Sequence, residues 1–383
     1  MRIPTLLAAA AGVLALALPV APPLAAEMTQ APVVKSQHAV KVETFANGLV
    51  HPWGLAFLPD GRLIVTERPG RVRIIAASGA LSPPVQGTPR VYASGQGGLL
   101  DVALSPDFAA TGLIYLSFAE PREGAKNGTS VARAKLVAEP DGARLERLEV
   151  IFRQQPSYTS NAHYGSRIVF TPDGSLFVTL GERYFPRAEA QNPGNHLGKL
   201  VRLMPDGSPY AGNPKRDGWR PEIWSIGHRN VQGAALNPAT GKLWTIEHGA
   251  RGGDEINIPE ASKNYGWPVI TYGRDYNNTK IGEGTHKAGM EQPIYYWDPS
   301  IAPSGAAFYT GDLFPGWKGN LFVGALAGQA LHRLVLDGER VVAEERLFTD
   351  LGERIREVRQ GPDGALWLLT DRAEGRVLRV IPK

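Results

Sequence analysis

The sequence predicts an all-β protein made from one repeated unit. The unit is an alternating strand, a turn rich in Pro, Asp and Gly, and a second alternating strand, as in GLAFLPDGRLIVTE from Gly54. Such turns supply the backbone conformations of a hairpin, and alternation with period two is typical of strands with one buried face. The composition agrees, because 44 Gly and 31 Pro suit many short strands joined by tight turns.

Six copies of this unit occur along the chain. They begin at Gly54, Leu100, Ser166, Gly233, Gly305 and Glu357, and the fifth copy is degenerate. Further strand candidates follow several copies, at Arg71–Ala76, Leu331–Leu336 and Gly375–Ile381. Six units of four short strands predict a six-bladed β-propeller. A β-sandwich is the alternative, but it does not predict copies at intervals of roughly 45–70 residues.

The N-terminus has the pattern of a secretory signal peptide, which we place at Met1–Ala26. Arg2 supplies a positive charge, Leu6–Val20 is apolar, and Ala25 and Ala26 are small residues suited to cleavage. A membrane anchor is the alternative, but prolines interrupt the end of the apolar run.

Residues 27–383 are expected to form a single propeller domain in the periplasm. No later stretch is long and apolar enough to predict stable membrane insertion. The net charge is +4, from 41 basic and 37 acidic residues, and no long Lys/Arg run predicts a nucleic-acid partner. The absence of cysteine excludes disulfides, thiol catalysis and Cys-ligated metals.

Polar or cationic residues recur at matched positions just before the first strand of five units. Counted back from the turn proline by eight to ten residues, they are His51, Gln96, His163, Arg229 and Arg354. Equivalent positions of different blades are related by rotation about the propeller axis. We therefore expect a common pocket near one end of the axis, formed by Gln96, His163, Arg229, Arg354 and Arg356, with His228 and Asn230 nearby.

A single Arg in such a position is ordinarily a solvated loop residue, and a single His is ordinarily structural. Several converging cations, however, need an anion to offset their repulsion. A planar polycarboxylate, a phosphate or an acidic substrate would meet that need, and the guanidinium fork suits carboxylates. His163 is the best candidate base, since neighbouring cations disfavour its charged form.

A second cluster, EHGARGGDE, spans Glu247–Glu255. Carboxylates and the backbone carbonyls of a glycine-rich loop are hard oxygen donors, which suit Ca²⁺. The alternative is an acidic turn in which Asp254 or Glu255 pairs with Arg251. The sequence contains no G-x-S-x-G, H-E-x-x-H or G-x-G-x-x-G motif.

Together these segments resemble the soluble PQQ-dependent sugar dehydrogenases, in particular the periplasmic aldose sugar dehydrogenase branch. The resemblance covers most of residues 27–383, and GHRNVQG with EHGARGGDEIN is its most specific part. Other matching segments are HPWGLAFLPDGRLIVTERPGRV, QGGLLDVALSPDF, HYGSRIVFTPDGSLFVTLGE and RIREVRQGPDG. The resemblance implies a six-bladed propeller with pyrroloquinoline quinone (PQQ) on its axis beside Ca²⁺. It also implies oxidation of the C1 hydroxyl of an aldose to a lactone, with electrons leaving to an external acceptor.

The resemblance also implies a role for each candidate residue. His163 corresponds to the catalytic base, and Arg229 stabilises charge on the quinone oxygen. The cofactor-binding residues are Gln96, His163, Arg229, Asn230, Arg354 and Arg356. The carbonyls of Gly249 and Ala250 correspond to calcium ligands, with Glu247 and Asp254 in support.

Two features depart from the family pattern or match it weakly. A cofactor-contacting Lys is usual in the fifth blade, but Ala327 or Gly328 stands there. Asp275 matches a ligand of a second calcium in some relatives. Two alternatives remain, a calcium-dependent lactonase or esterase and a non-catalytic binding propeller, although the arginine-rich ring argues against the first. We expect a monomer or a homodimer.

Overall fold

A computed structural model describes residues 31–35, 38–139 and 142–383. The proposed signal peptide, Met1–Ala26, lies outside these residues. Within the described ranges the chain forms short strands, one four-residue helix, α1 (Phe108–Thr111), and a few 3₁₀ turns. The 3₁₀ turns span Glu123–Ala125, Arg187–Gln191, Pro315–Trp317 and Thr349–Leu351. No helix among the described residues is long and apolar enough to cross a membrane.

The strands form six sheets, which we number as blades 1 to 6 in chain order. Two strands precede blade 1, namely β1 (Val33–Val34) and β2 (Val40–Leu49). Blade 1 contains β3 (Pro52–Phe57), β4 (Leu63–Glu67) and β5 (Arg71–Ile75). Blade 2 contains β6 (Leu99–Leu104), β7 (Leu113–Pro121), β8 (Asn127–Glu139) and β9 (Gly142–Arg153). Blade 3 contains β10 (Gly165–Phe170), β11 (Leu176–Leu180), β12 (Lys199–Leu203) and β13 (Ile223–Ile226).

The remaining three blades follow the same order. Blade 4 contains β14 (Val231–Leu236), β15 (Leu243–Glu247), β16 (Asp254–Asn257) and β17 (Tyr295–Trp297). Blade 5 contains β18 (Pro303–Phe308), β19 (Leu321–Ala325), β20 (Leu331–Asp337) and β21 (Arg340–Leu347). Blade 6 contains β22 (Ile355–Gln360), β23 (Leu366–Thr370) and β24 (Gly375–Pro382).

The first strands of the six blades form a closed ring. Each contacts the first strand of the next blade, and β22 of blade 6 contacts β3 of blade 1. Strand β2 pairs antiparallel with β24 along its length and so completes blade 6 as its fourth strand. Strand β1 adds a short parallel edge to β21 of blade 5. The six-bladed propeller predicted from the sequence is therefore confirmed.

The expectation of four strands in every unit is wrong for blade 1, which has three. After β5 the chain still follows that strand, since the amides of Ser82 and Val85 donate to the carbonyls of Ile74 and Val72, both at 2.8 Å. Residues 83 and 84 are both proline. Proline has no N–H, so this segment covers the edge of β5 without forming a regular fourth strand.

Glycine allows the first strands to pack closely around the axis. A Cβ at Gly233 in β14 would collide with the carbonyl oxygen of Ser304 in β18. A Cβ at Gly305 in β18 would likewise collide with the carboxylate of Glu357 in β22. The glycines that begin these two copies of the repeat therefore reflect contact between neighbouring blades, because only a residue without a side chain fits there.

Every blade has a register shift where its first strand begins to pair with its second. A bulge of this kind bends a strand and re-aims its side chains. The shifts lie at the start of each first strand, so they act on the same end of the axis in all six blades. That end carries the residues described next.

Candidate functional site

A cavity of about 320 Å³ lies at this end of the axis, and every blade contributes to its walls. The lining side chains are mainly cationic, amide and aromatic. They are Trp53, Arg68, Gln96, Leu100, Tyr164, Gly165, Gln232, His248, Ala302, Leu326, Arg354, Arg356 and Asp371. The predicted convergence of Gln96, Arg354 and Arg356 on one axial pocket is thus observed.

The side of the cavity formed by blades 1 and 6 carries three arginines and one carboxylate. Asp371 Oδ2 accepts from Arg356 Nη2 at 2.9 Å and lies 3.5 Å from Arg354 Nη2. Burial opposes the ionisation of Asp371, but Arg356 and its neighbours Arg68 and Arg354 hold its pKa well below the usual range. One carboxylate against three guanidinium groups leaves an excess of positive charge in the cavity wall.

Arg229 and Asn230 directly precede β14 of blade 4, and both are buried. Contrary to the expected common pocket, Arg229 does not line the axial cavity but a second one, described below. Asn230 Oδ1 accepts from the Gly165 amide at 3.1 Å, whereas its Nδ2 has no partner. Arg229 donates to the carbonyl oxygens of His248 and Gly249 and lies over the ring of Trp267, 5.0 Å from its centroid. Its Nε is also buried without a partner. Two donors beside the axial cavity therefore have no hydrogen-bond partner among the described residues.

His163 connects this axial cavity with a second one. Its backbone amide donates to Gln96 Oε1 at 2.8 Å, and its Nδ1 lies 2.6 Å from Glu182 Oε2. Gln96 lines the axial cavity, and Glu182 lines a neighbouring cavity of about 270 Å³. Arg229 and Ala250 also line this second cavity.

The environment of His163 keeps its imidazole neutral. Burial lowers the pKa of His163, Glu182 opposes that effect, and the positive charge of Arg229 adds to the lowering. Glu182 itself is buried, yet the adjacent His163 holds the pKa of that carboxyl below its usual value. An ionised Glu182 accepts from Nδ1–H, which leaves Nε2 as the basic nitrogen. This is the protonation state that a general base requires.

Glu247, one of the supporting residues for the expected calcium site, has its carboxylate occupied. Its Oε1 faces His228 Nδ1 at 3.0 Å and accepts from Asn257 Nδ2 at 3.0 Å. Its Oε2 accepts from the backbone amide of Arg229 at 2.7 Å. Glu247 therefore fixes the start of β14, next to the candidate site. His228 stacks on Tyr265 and belongs to this structural group, not to the cavity wall.

Asp254 is occupied in the same way. Its Oδ1 accepts from the Gly249 amide at 2.8 Å. Its Oδ2 accepts from the Ser300 hydroxyl at 2.7 Å and from the amides of Ile301 and Ala302 at 2.8 and 3.0 Å. Asp254 thus ties the glycine-rich loop to the chain before blade 5.

The alternative in which Asp254 or Glu255 pairs with Arg251 is not seen among the ion pairs of the described residues. Nor does any group of three or more His, Cys, Asp or Glu side chains within these residues have the arrangement of a metal site. A calcium site could still use backbone carbonyls as ligands. Those of Gly249 and Ala250, the first of which already faces Arg229, remain the proposed donors.

The second cavity has an aromatic and partly exposed rim. It is lined by Glu182, Tyr184, Phe185, Arg187, Arg229, Ala250, Trp267, Asp275 and Tyr276. Phe185 is 69% exposed and Tyr276 is 57% exposed. Asp275, a candidate ligand for a second calcium, accepts from Arg187 Nη1 at 2.9 Å.

The segment in which the family usually has a Lys borders the axial cavity. The amides of Ala327 and Gly328 both donate to the Ile301 carbonyl at 3.0 Å. The preceding residue, Leu326, lines the cavity, and its carbonyl accepts from Arg354 Nη1 at 3.1 Å. Ala327 therefore follows directly after the carbonyl that Arg354 contacts.

Four cavity residues that were not predicted from the sequence share one position in the repeat. Arg68, His248, Leu326 and Asp371 each follow directly after the second strand of a blade. The predicted site residues precede the first strand of each blade, whereas these four residues follow the second strand. Their common position directly after the second strand is the signal in the sequence that marks them.

The fold and the site define a class of protein, a six-bladed propeller with a cationic cavity on its axis and a buried His–Glu pair beside it. The chain belongs to the Glucose / Sorbosone dehydrogenase family, whose sequence model matches residues 49–379, and it is an enzyme of that kind.

Similar proteins align with most of the length of this chain. Aldose sugar dehydrogenase YliI of Escherichia coli K12 is 47% identical over 349 residues, which are 90% of this chain and 93% of that protein. A crystal structure of a glucose dehydrogenase has 53% identity and a TM-score of 0.86, and the match covers 88% of this chain and 99% of the other. The PQQ-bound aldose sugar dehydrogenase of Streptomyces coelicolor has 31% identity and a TM-score of 0.75, with coverage of 90% and 98%.

Proposed function

We propose that this protein is a PQQ-dependent aldose sugar dehydrogenase that oxidises the C1 hydroxyl of aldoses to lactones. The observation that carries the proposal is the axial cavity with three arginines against one carboxylate, placed beside the neutral His163. A lactonase or a purely binding propeller has no need of this combination. The PQQ-bound relative supports the same cofactor for this chain.

The residues present fit this cofactor. PQQ is planar and carries three carboxylates, which guanidinium forks bind well. Buried donors without partners, Arg229 Nε, Asn230 Nδ2 and Arg356 Nε, belong to residues assigned to the cofactor. Leaving such donors unsatisfied is costly, so a ligand that accepts from them stabilises the site. Gln96 and Arg354 complete the proposed set, and both line the cavity.

When bound, PQQ would supply the two-electron acceptor and Ca²⁺ a Lewis acid that polarises it. We assign the calcium to the carbonyls of Gly249 and Ala250. Glu247 and Asp254 support it by fixing the loop, since their oxygens already accept hydrogen bonds.

The protein's own chemistry centres on His163. Nε2 of His163 takes the proton from the C1 hydroxyl of the sugar, and Glu182 stabilises the imidazolium that forms. Arg229 offsets negative charge that develops at the acceptor in the transition state. The second cavity, with Glu182 and Arg229 in its wall and an aromatic rim, is the proposed approach for the sugar.

The cellular setting forms part of the proposal. Removal of Met1–Ala26 on export would place the enzyme in the periplasm as a soluble monomer or homodimer. Electrons would leave to a separate external acceptor, and neither nucleic acid nor a membrane anchor takes part.

Reconstitution tests the proposal. Purified protein freed of cofactor is incubated with PQQ and Ca²⁺, and reduction of an artificial dye is followed with glucose or arabinose. We expect sugar-dependent reduction that requires PQQ and is lost when PQQ is left out. Failure of every aldose tested, with binding of PQQ absent, would contradict the proposed function.

A further inference from the structure

Arg68 is a cavity residue to which neither the repeat pattern nor the family resemblance assigns a role. It follows β4 and is fixed by its backbone, because its amide donates to the His51 carbonyl at 3.0 Å. Its carbonyl accepts from the Leu99 amide of blade 2 at 3.1 Å. The side chain reaches the wall of the axial cavity, where Nη1 donates to the Gly95 carbonyl at 2.5 Å.

The charge around Arg68 is not balanced. Its Nε is buried without a partner. The cations Arg354 and Arg356 act on it unfavourably, and one carboxylate, Asp371, opposes them. Asp371 already accepts from Arg356. The single negative charge of Asp371 therefore faces three arginines. Arg68 has a positive charge that is not fully offset and an Nε–H donor without a partner.

An anion in the cavity would accept a hydrogen bond from this Nε–H and would offset the excess positive charge. A carboxylate can accept from a guanidinium Nε–H and Nη–H together, and such charge-assisted pairs are the strongest polar contacts available in a pocket. We propose that Arg68 binds a carboxylate of the quinone cofactor, as the third arginine of a cluster with Arg354 and Arg356. Asp371 pairs directly with Arg354 and Arg356 and acts on Arg68 only through its charge. This inference rests on the proposed function, because it takes PQQ as the ligand.

Binding of PQQ to Arg68 variants tests the inference. The dissociation constant is measured by calorimetric titration of the apo-protein in the presence of Ca²⁺, for wild type, Arg68→Gln and Arg68→Lys. We expect Arg68→Gln to raise the dissociation constant by about tenfold or more, as expected for loss of one charge-assisted contact. Arg68→Lys should raise it less, because an ammonium keeps the charge but has no fork.

Arg62→Gln is the matched control. Arg62 precedes β4, the same strand that Arg68 follows, and its Nε donates to Asp60 at 2.9 Å, away from the axial cavity. The dissociation constant of PQQ from Arg62→Gln should equal that from the wild type. The wild type should also lose affinity more steeply with added salt than Arg68→Gln, because it uses one more cation.

The outcomes separate the two proposals. Binding to wild type with an unchanged dissociation constant in Arg68→Gln would overturn the role of Arg68 and leave the proposed function intact. Absence of PQQ binding to the wild type would overturn both. Thermal unfolding of each apo-protein shows whether the variant is folded. If Arg68→Gln is not folded, the Arg68→Lys variant decides: an unchanged dissociation constant for PQQ would overturn the inference.

Discussion

His163 combines a buried position with one carboxylate partner and an unusual backbone. Its φ is +52°, and its Nδ1 lies 2.6 Å from Glu182. The sequence suggested this residue as a base but did not identify its partner, Glu182, which lies 19 residues away at the other end of the same predicted hairpin. Only the pairing of β10 with β11 brings the two side chains together.

Replacement of His163 should separate binding from turnover. In His163→Asn the amide Nδ2 can still donate to Glu182, and Asn tolerates the positive φ better than most residues. We expect PQQ to bind, while kcat falls by about 10²–10⁴-fold because the base is gone. Steady-state kinetics and a cofactor titration measure the two effects. The exposed His286 gives a control, His286→Asn, and normal turnover in His163→Asn would show that the base is another group.

The pH dependence should depend on Glu182. Burial lowers the pKa of His163, and the charge of Glu182 opposes that shift. The base acts when neutral, so the acid limb of kcat/KM for the wild type should lie below the usual His value of about 6.5. Glu182→Gln removes the opposing charge. Its acid limb should move to still lower pH, and its kcat should fall because the imidazolium is no longer stabilised. An acid limb that stays in place or moves to higher pH would contradict this account.

At the scale of the elements, the first strands are joined on the axis by a buried charged side chain. Arg167 in β10 contacts the carboxylates of Asp101 in β6 and Glu357 in β22. Its Nε donates to the Gln232 carbonyl in β14 at 2.7 Å, and its guanidinium lies 4.1 Å from the ring centroid of Trp53 in β3. One side chain thus links the first strands of five blades.

Loss of Arg167 should destabilise the fold. Arg167→Met keeps an apolar stem but leaves buried carboxylates without their cation. We expect the free energy of unfolding to fall by about 3–5 kcal/mol, the usual cost of breaking a buried pair from one side. Lys242→Met is the control, because it breaks an exposed pair with Glu339, which is worth about 1 kcal/mol or less. Denaturant unfolding measures both. Similar losses in the two variants would show that Arg167 is not structurally central.

The repeat made the first two strands of the blades predictable, most clearly where the turn is Pro-Asp-Gly, as in blades 1, 3 and 6. Gly61 and Gly174 have φ values of +85° and +83°, as those turns require. Other elements have no local pattern of this kind. The pairing of β2 with β24 joins strands that are far apart in the sequence, and the absence of a fourth strand in blade 1 depends on two prolines in an irregular segment.

In the site, too, residues with a repeated sequence pattern could be predicted and residues without one could not. Gln96 and Arg354 were found because their spacing to a turn proline repeats, and Arg356 lies two residues after Arg354. Gln232, which donates to the Gly165 carbonyl at 3.1 Å, sits inside an inner strand and has no such marker. Asp371 contributes the one carboxylate of the arginine cluster, and it meets Arg354 and Arg356 through the pairing of β22 with β23.

For the whole molecule, buried neutral histidines should make the fold sensitive to acid. Burial lowers the pKa of His196 as it does that of His163. The unfolded chain therefore binds more protons than the folded one below the usual His pKa of about 6.5. The free energy of unfolding should decrease as the pH falls from that value through the lowered folded pKa values.

Denaturant unfolding at several pH values between 7 and 5 measures this dependence. His196 Nδ1 accepts from the Gln155 amide at 3.0 Å, and Asn could replace that acceptor. In His196→Asn one titrating group is gone, so stability should change less with pH than in the wild type. An equal or steeper dependence would contradict the account.

The central claim for the molecule is that the propeller axis binds PQQ beside a histidine base. An experimental structure of the protein with PQQ, Ca²⁺ and a reduced sugar analogue tests that claim most directly. We expect PQQ in the cavity between Trp53 and Gln232, with Arg356 and Asn230 Nδ2 as donors and His163 Nε2 facing the sugar C1. A quinone bound elsewhere, or a sugar held away from His163, would contradict it.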